Sequence, residues 1–367
     1  CSCSIDVDAK PNTTICPRCT GQPGSKPMLP SKEAIEKVIK AGLMLGCDMN
    51  KELVWQRKHY NWPDMPSGYQ KTMSGSYAVP VGVKGSFLGI GITQLHLEED
   101  PARWDPVAGT VDFNRSGYPL IEIVTEPDFQ DIDGVRDWLK SLMTTLQYVH
   151  AVDRNMGVKC DVNVSVSPSF GRVEVKNVNS FKSIVNAIKH EIDRQTKEVS
   201  SGKKIEQQTR AWQDKQGTTT FMRSKEKALD YRFIPDPDLP VVVVKNLKEL
   251  QKELPQTPEE TMKKLIKKKV SEENAKIIAG DLYVSDFFNS LDNNPVFVSK
   301  WVRKELLRVV NMERREFSQI NFNHKHLAEL VELLENEKIT SEIGRDILEK
   351  LAKKDFSPKT YVKEKKL

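Results

Sequence analysis

Residues Gly89 to Asp100 read Gly-Ile-Gly-Ile-Thr-Gln-Leu-His-Leu-Glu-Glu-Asp, a β-pattern that ends in three consecutive acids. On a strand, successive side chains point to opposite faces. Gln94, His96, Glu98 and Asp100 therefore share one side, and Leu95, Leu97 and Glu99 the other, unless a bulge near the end re-aims the acids. Two unit charges ~4 Å apart at an effective dielectric of about 20 repel by about 4 kcal/mol. A divalent cation removes that cost, and hard cations choose oxygen ligands. The plainer alternative is a solvated acidic turn that closes the strand.

Three more segments alternate in the same way. In Pro119–Glu126, Glu122 and Glu126 share a face with Leu120 and Val124. In Val158–Val166, Lys159, Asp161, Asn163 and Ser165 oppose Val158, Cys160, Val162, Val164 and Val166. In Arg172–Lys176, Arg172, Glu174 and Lys176 oppose Val173 and Val175. Clean alternation marks antiparallel strands with one covered and one open face. An open face bearing Glu, Asp, Asn, Lys and Arg is most simply the wet side of a sheet. A glutamate set among apolar strand residues, as at Glu122, is costly unless it is used, so this face reads as a working surface.

Helices separate the strands. Ser31 caps one that buries Ile35, Val38 and Ile39; others are expected at Ile132–Val149 and Ser180–Val199. The stretch Gln56–Gln70, rich in aromatics, proline and basic groups, reads as a loop, and Val241–Val244 as a last strand. From about Lys245 the pattern changes to short helices, with Thr257-Pro-Glu-Glu260 as a capping box and helical stretches near 272–280, 282–290, 295–312, 324–336 and 340–353. The expected fold is α+β, a mainly antiparallel sheet with flanking helices followed by an all-helical region.

The 367 residues carry a formal charge of +5, which permits a nucleic-acid partner without demanding one. Lysine runs such as Lys267-Lys268-Lys269 read by default as solvated helix faces. No apolar run approaches the ~20 residues of a membrane span. Four of the six cysteines fall in the first 19 residues. Cys1-Ser-Cys3 and Cys16-Pro-Arg-Cys19 can close a tetrahedral zinc site with no open position, a structural staple rather than a catalytic centre. The chain begins at Cys1, so no targeting peptide can be read. It contains no Gly-x4-Gly-Lys-[Ser/Thr] phosphate loop. Met222-Arg-Ser-Lys-Glu226 faintly imitates a synthetase loop, but no His-x-Gly-His accompanies it.

Taken together, the motifs resemble the B subunit of the tRNA-dependent amidotransferases (the GatB family). The matching residues are Pro11-Asn-Thr…Cys16-Pro-Arg-Cys19…Gly21-Gln-Pro-Gly24, Arg57-Lys58…Tyr60…Pro63-Asp64…Tyr69-Gln70 and His96-Leu-Glu-Glu-Asp100. They continue through Asn114-Arg-Ser-Gly-Tyr-Pro-Leu-Ile-Glu-Ile-Val-Thr-Glu-Pro-Asp128, Lys159–Val166, Glu174-Val-Lys-Asn-Val-Asn-Ser-Phe181, Met222–Glu226 and Asp230-Tyr-Arg-Phe233. The resemblance is dense over residues 1–245 and looser beyond.

It implies a glutamine synthetase-like cradle that uses ATP and Mg²⁺ to phosphorylate the side-chain carboxylate of Glu-tRNA(Gln) or Asp-tRNA(Asn). Ammonia channelled from an amidase partner then displaces the phosphate. Glu99 and Glu122 resemble the Mg²⁺ ligands, with Glu98 and His96 beside them; Lys58 resembles a residue lining the ammonia route, and Lys176 a phosphate contact. The resemblance also places a strand with a Glu-x-His motif ahead of Cys1, which leaves this ligand set incomplete. No Ser-Ser-Lys amidase signature occurs, so glutamine hydrolysis belongs to another chain, the amidase (glutaminase) partner. A small third subunit and misacylated tRNA complete the expected partners. The expected division is a kinase-transamidase domain at 1–245 with its zinc segment, a helical domain at 246–316, and a partial tail domain at 317–367 that stops about halfway. Ser67-Gly68-Tyr69-Gln70 resembles organellar members, so the mitochondrial matrix is expected, with a bacterial cytoplasm as the alternative. The competing function is a zinc-stabilised tRNA-binding or assembly protein without chemistry.

Overall fold

The computed structural model describes residues 3, 6, 8–25, 28–152, 158–224 and 231–367. The chain divides into two compact units, Cys1–Leu254 and Pro255–Leu367.

The first unit is built on a seven-stranded antiparallel sheet. The strands up to residue 125 are β1 (Asp48–Met49), β2 (Glu52–Leu53), β3 (Gln56–His59), β4 (Tyr69–Thr72), β5 (Gly82–Phe87), β6 (Ile90–Glu99), β7 (Arg103–Asp105), β8 (Thr110–Asp112) and β9 (Pro119–Thr125). Spatial order in the large sheet is β1-β5-β6-β4-β3, closed by the short strand at Ile234–Pro235, with β9 also paired to β6. The ten residues of β6 are thus the axis of the sheet. One edge pairs first with β5 and then with β4, and the other runs along β9 with His96 opposite Glu122.

One face of this sheet is covered because its residues are apolar. Leu95, Leu97, Ile92 and Met73 pack with Ile35, Val38 and Ile39 of helix α1 (Lys32–Met44) and with Trp138, Leu142 and Leu146 of helix α2 (Ile132–Tyr148). Both helices start where expected. The Ser31 hydroxyl accepts from Ala34 N–H and the Asp131 carboxylate from Gly134 N–H. Gly42 lets α1 lie against the sheet, since a Cβ there would fall 2.9 Å from Leu95. The Trp138 indole donates to the Phe87 carbonyl at 2.8 Å, so its buried N–H is satisfied.

A second, four-stranded sheet follows: β10 (Cys160–Val164), β11 (Val173–Val178), β12 (Gln208–Gln213) and β13 (Thr218–Ser224) in that order, with β11 and β12 parallel. Val162, Val164, Val173 and Val175 face helix α3 (Phe181–Ser200), leaving Asp161, Asn163, Glu174 and Lys176 on the other side as the alternation requires. Helix α2 joins the two layers by lending Ile132, Val135 and Leu139 to this second core.

Two sequence expectations change. The stretch Gln56–Gln70 is not all loop: β3 and the start of β4 flank Tyr60–Gly68. The composition hid them because both are polar strands whose stability comes from ladder pairing, Gln56 with Thr72 and Lys58 with Gln70. The helical region, expected as two domains split at 316, is one unit that begins at Pro255. Its helices, among them Pro258–Lys267 with the Thr257 capping box and His324–Glu335, contribute to one core that runs from Leu265 through Phe317 to Leu351. Residues 246–254 belong to the first unit, where Leu250 joins the core beneath α1.

Candidate active site

The open face of the large sheet is organised by register. Gln56, Thr72 and Glu98 lie directly opposite one another across β3, β4 and β6. One step along are Lys58 opposite Gln70, and His96 opposite Glu122. Opposed residues of antiparallel strands share a face, so Lys58, Thr72, His96, Glu98 and Glu122 all look outward from the same side.

Three of them converge. Ligand atoms of His96, Glu98 and Glu122 lie within 4.8 Å of one another. His96 is fully buried, and neither ring nitrogen has a hydrogen-bond partner; Nε2 lies 3.6 Å from Glu122 Oε2. A buried imidazole without partners is costly, and a cation held between it and two carboxylates removes that cost. The electrostatics agree. Burial first, and then the charge of Glu122, push the Glu98 carboxyl up, against the pull of Lys58, His96 and the Thr72 hydroxyl. Interaction with the His96 ring is the main cause that holds Glu122 below the ordinary carboxylate range, outweighing burial. The carboxylate oxygens of Glu98 and Glu122 suit a hard divalent cation such as Mg²⁺, and His96 supplies a nitrogen at the same point. Lys58 stands beside them with its ammonium 4.6 Å from the centre of the Tyr231 ring, a cation–π contact that places positive charge next to the acids.

The expected set is corrected at Glu99. Alternation aims it at the opposite face from Glu98, where it accepts from the Lys71 ammonium at 2.6 Å. Lys71 is only 6% exposed, so the pair is largely desolvated. It borders a cavity of about 270 Å³ that Arg18, Cys19, Tyr69 and Ser116 also line. Glu98, not Glu99, therefore joins Glu122. The strand parity separates the two acids onto opposite faces. Lys176 lies apart from this cluster. Its ammonium on the second sheet is held by Asp161 and by Glu174. A phosphate there would have to compete with two carboxylates for the same ammonium.

The cysteine cluster is partly visible. Cys3, Cys16 and Cys19 bring their sulfurs within 4.8 Å of one another, and Cys1 lies outside the described residues. The Cys16 N–H donates to Cys19 Sγ at 3.0 Å. Hydrogen bonds from the backbone, that of Cys19 foremost, bring the Cys16 thiol down to about 7, while burial pushes Cys3 up to about 11. Three thiols at one point, one of them readily ionised, fit a zinc staple. Two family-motif stretches hold this segment down: Asn12 donates to Val111 O, and Asn114 donates to Lys10 O and accepts from Thr14 N–H.

Thr72 and Lys71 were not picked out from the sequence. The only signal for them was that residues 69–72 could continue a strand opposite the acids, and the proline-rich loop before them masked it.

The first unit is thus an antiparallel cradle that gathers two carboxylates and a buried imidazole on one face of its sheet, a set that could hold a divalent cation, and a helical unit follows it in sequence. The chain belongs to the GatB/GatE family: residues 1–248 match the GatB/GatE catalytic domain and residues 284–367 the GatB domain. It is 41% identical to the B subunit of the aspartyl/glutamyl-tRNA(Asn/Gln) amidotransferase of Methanococcus maripaludis, over 99% of this chain and 80% of that protein. The B subunits of the same name from Methanopyrus kandleri and Methanocaldococcus jannaschii are 40% and 39% identical, over 99% and 96% of this chain and 80% and 77% of theirs.

Proposed function

We propose that this chain is the B subunit of a glutamine-dependent tRNA amidotransferase, a carbon–nitrogen ligase acting on Glu-tRNA(Gln) or Asp-tRNA(Asn). The observation that carries the reading is the convergence of His96, Glu98 and Glu122 on the open sheet face of a chain with these relatives.

In the reaction, an oxygen of the substrate's side-chain carboxylate attacks the γ-phosphorus of ATP. ADP leaves and an acyl phosphate forms. Ammonia then attacks the acyl carbon and expels inorganic phosphate, giving the amide. When bound, Mg²⁺ neutralises phosphate charge and fixes the phosphates in line, which is most of what such a transfer needs. Glu98 and Glu122 would hold it, with His96 beside them at the same point. Lys58 adds a fixed positive charge at the rim of the same face, where the substrate carboxylate and the ammonia must meet. Zinc at Cys1, Cys3, Cys16 and Cys19 would pin the N-terminal segment and take no part in chemistry. The ammonia comes from an amidase partner, and a small third subunit completes the assembly. The mitochondrial matrix, for which Ser67-Gly68-Tyr69-Gln70 is the supporting feature, is the proposed compartment, with a bacterial cytoplasm as the alternative.

The test is to assemble the chain with its amidase partner and supply ATP, Mg²⁺, glutamine and each misacylated tRNA. Formation of Gln-tRNA or Asn-tRNA that depends on ATP supports the reading. Failure on both tRNAs with a glutamine-hydrolysing partner present removes it.

A further inference from the structure

On the reading of the cation site given above, we infer that Thr72 is a positioning residue that sets the Glu98 carboxylate for the divalent cation. Thr72 is fully buried, though its hydroxyl belongs to the polar face, and it sits directly opposite Glu98 in the β4–β6 ladder. Its Oγ1 lies 3.1 Å from Glu98 Oε2 and 3.0 Å from Ser74 Oγ, and it accepts from the Ser74 N–H at 3.0 Å.

The direction of these bonds follows from valence. A threonine hydroxyl has one proton and two lone pairs. One lone pair takes the Ser74 N–H. An ionised Glu98 can only accept, so the Thr72 proton points at Oε2 and the Ser74 hydroxyl donates into the second lone pair. The result is a one-way relay, Ser74 O–H to Thr72 O–H to Glu98, with every capacity of the Thr72 oxygen used. The scaffold beneath is rigid. Gln56, opposite Thr72 on β3 and also fully buried, accepts from Tyr77 N–H and donates to the Ser74 carbonyl.

Glu98 has three rotatable bonds and sits between a buried imidazole and another carboxylate, so without a tether its ionised form would turn away from Glu122. The Thr72 bond fixes one oxygen and with it the carboxylate plane. Partners of this kind, one bond behind a ligand, change metal affinity by about 10–100-fold when removed.

The test reads metal binding without turnover. Mn²⁺, a paramagnetic stand-in for Mg²⁺, is titrated into the full chain in its assembled complex and free Mn²⁺ is followed by electron paramagnetic resonance. Wild type is compared with T72V, T72A, T72S and E98Q, with melting curves confirming the fold. The inference expects T72V and T72A to weaken Mn²⁺ by about tenfold or more, T72S to stay within about threefold of wild type, and E98Q to lose the site. In turnover, T72V should raise the KM for Mg·ATP with a smaller change in kcat. T72V exchanges the hydroxyl for a methyl of similar size and T72A leaves a small gap, so either one that folds suffices. Wild-type Mn²⁺ affinity in a folded T72V or T72A, with E98Q defective, overturns the role of Thr72 while the cation site stands. Undiminished binding in E98Q overturns the site reading itself.

Discussion

Adjacent acids on a strand should behave as opposites, and the pair Glu98 and Glu99 makes that measurable. Glu99→Gln leaves the Lys71 ammonium, whose side chain is 8% exposed, facing an amide, while the Glu99 side chain is itself 23% exposed. Removing one partner of a fully buried pair costs about 3–5 kcal/mol, and partial solvent access at Glu99 lowers this to about 2–3 kcal/mol. For a unit of this size that corresponds to a fall in Tm of roughly 5–10 °C. Glu98→Gln should do the reverse. It removes a carboxylate whose ionised form burial and Glu122 both disfavour, so stability without metal should stay within about 1 kcal/mol of wild type or rise. Divalent-cation binding should be lost. Scanning calorimetry in chelator, paired with Mn²⁺ titration of both variants, gives the two readings. If Glu99→Gln abolishes Mn²⁺ binding at unchanged Tm while Glu98→Gln binds normally, the assignment of the two faces is wrong.

Further expectations rest on separate parts of the fold. Glu191 is fully buried, and although burial pushes its carboxyl up, hydrogen bonds from Arg194, Thr219 and Gln195 outweigh this and hold it below the usual range. Its stabilisation is therefore complete above the ordinary glutamate value and lost as pH falls through the depressed one. Glu191→Gln should destabilise the first unit by about 3–5 kcal/mol at neutral pH and weaken the acid limb of the stability curve, as chemical denaturation across pH would record. Asn114→Ala removes the bonds to Lys10 O and Thr14 N–H. It should loosen the N-terminal segment by about 1–2 kcal/mol, seen as faster proteolysis within the first 25 residues at little change in the global Tm. Elemental analysis of the purified chain should find one zinc per molecule, and Cys16→Ser should lose it without abolishing Mn²⁺ binding, since that cation site uses other residues.

What the sequence revealed followed from periodicity. Gln94 to Glu99 alternates so regularly that Glu98 and Glu99 were expected on opposite faces in the absence of a bulge, and the caps at Ser31 and Thr257 placed two helix starts. Where signals failed, the cause was that the stabilising partner lies far along the chain. Gln56–His59 and Tyr69–Thr72 are polar strands that exist because of each other and of β6, and no local pattern announces them. The Lys71–Glu99 pair and the Thr72–Glu98 bond depend on that same long-range register, so they stayed hidden with it. The unbroken helical core from Leu265 to Leu351 was illegible for a related reason: short amphipathic helices reveal that they pack, not which of them share one interior.

On the proposed function, the open face of the large sheet activates the tRNA-borne carboxylate. The most direct test is the assembled complex with γ-labelled ATP, Mg²⁺ and Glu-tRNA(Gln), wild type against Glu122→Gln, following phosphate release, Gln-tRNA formation and glutamine hydrolysis together. The variant should lose phosphate release and Gln-tRNA formation while the amidase partner still hydrolyses glutamine. Phosphate release that persists in Glu122→Gln would contradict the proposal.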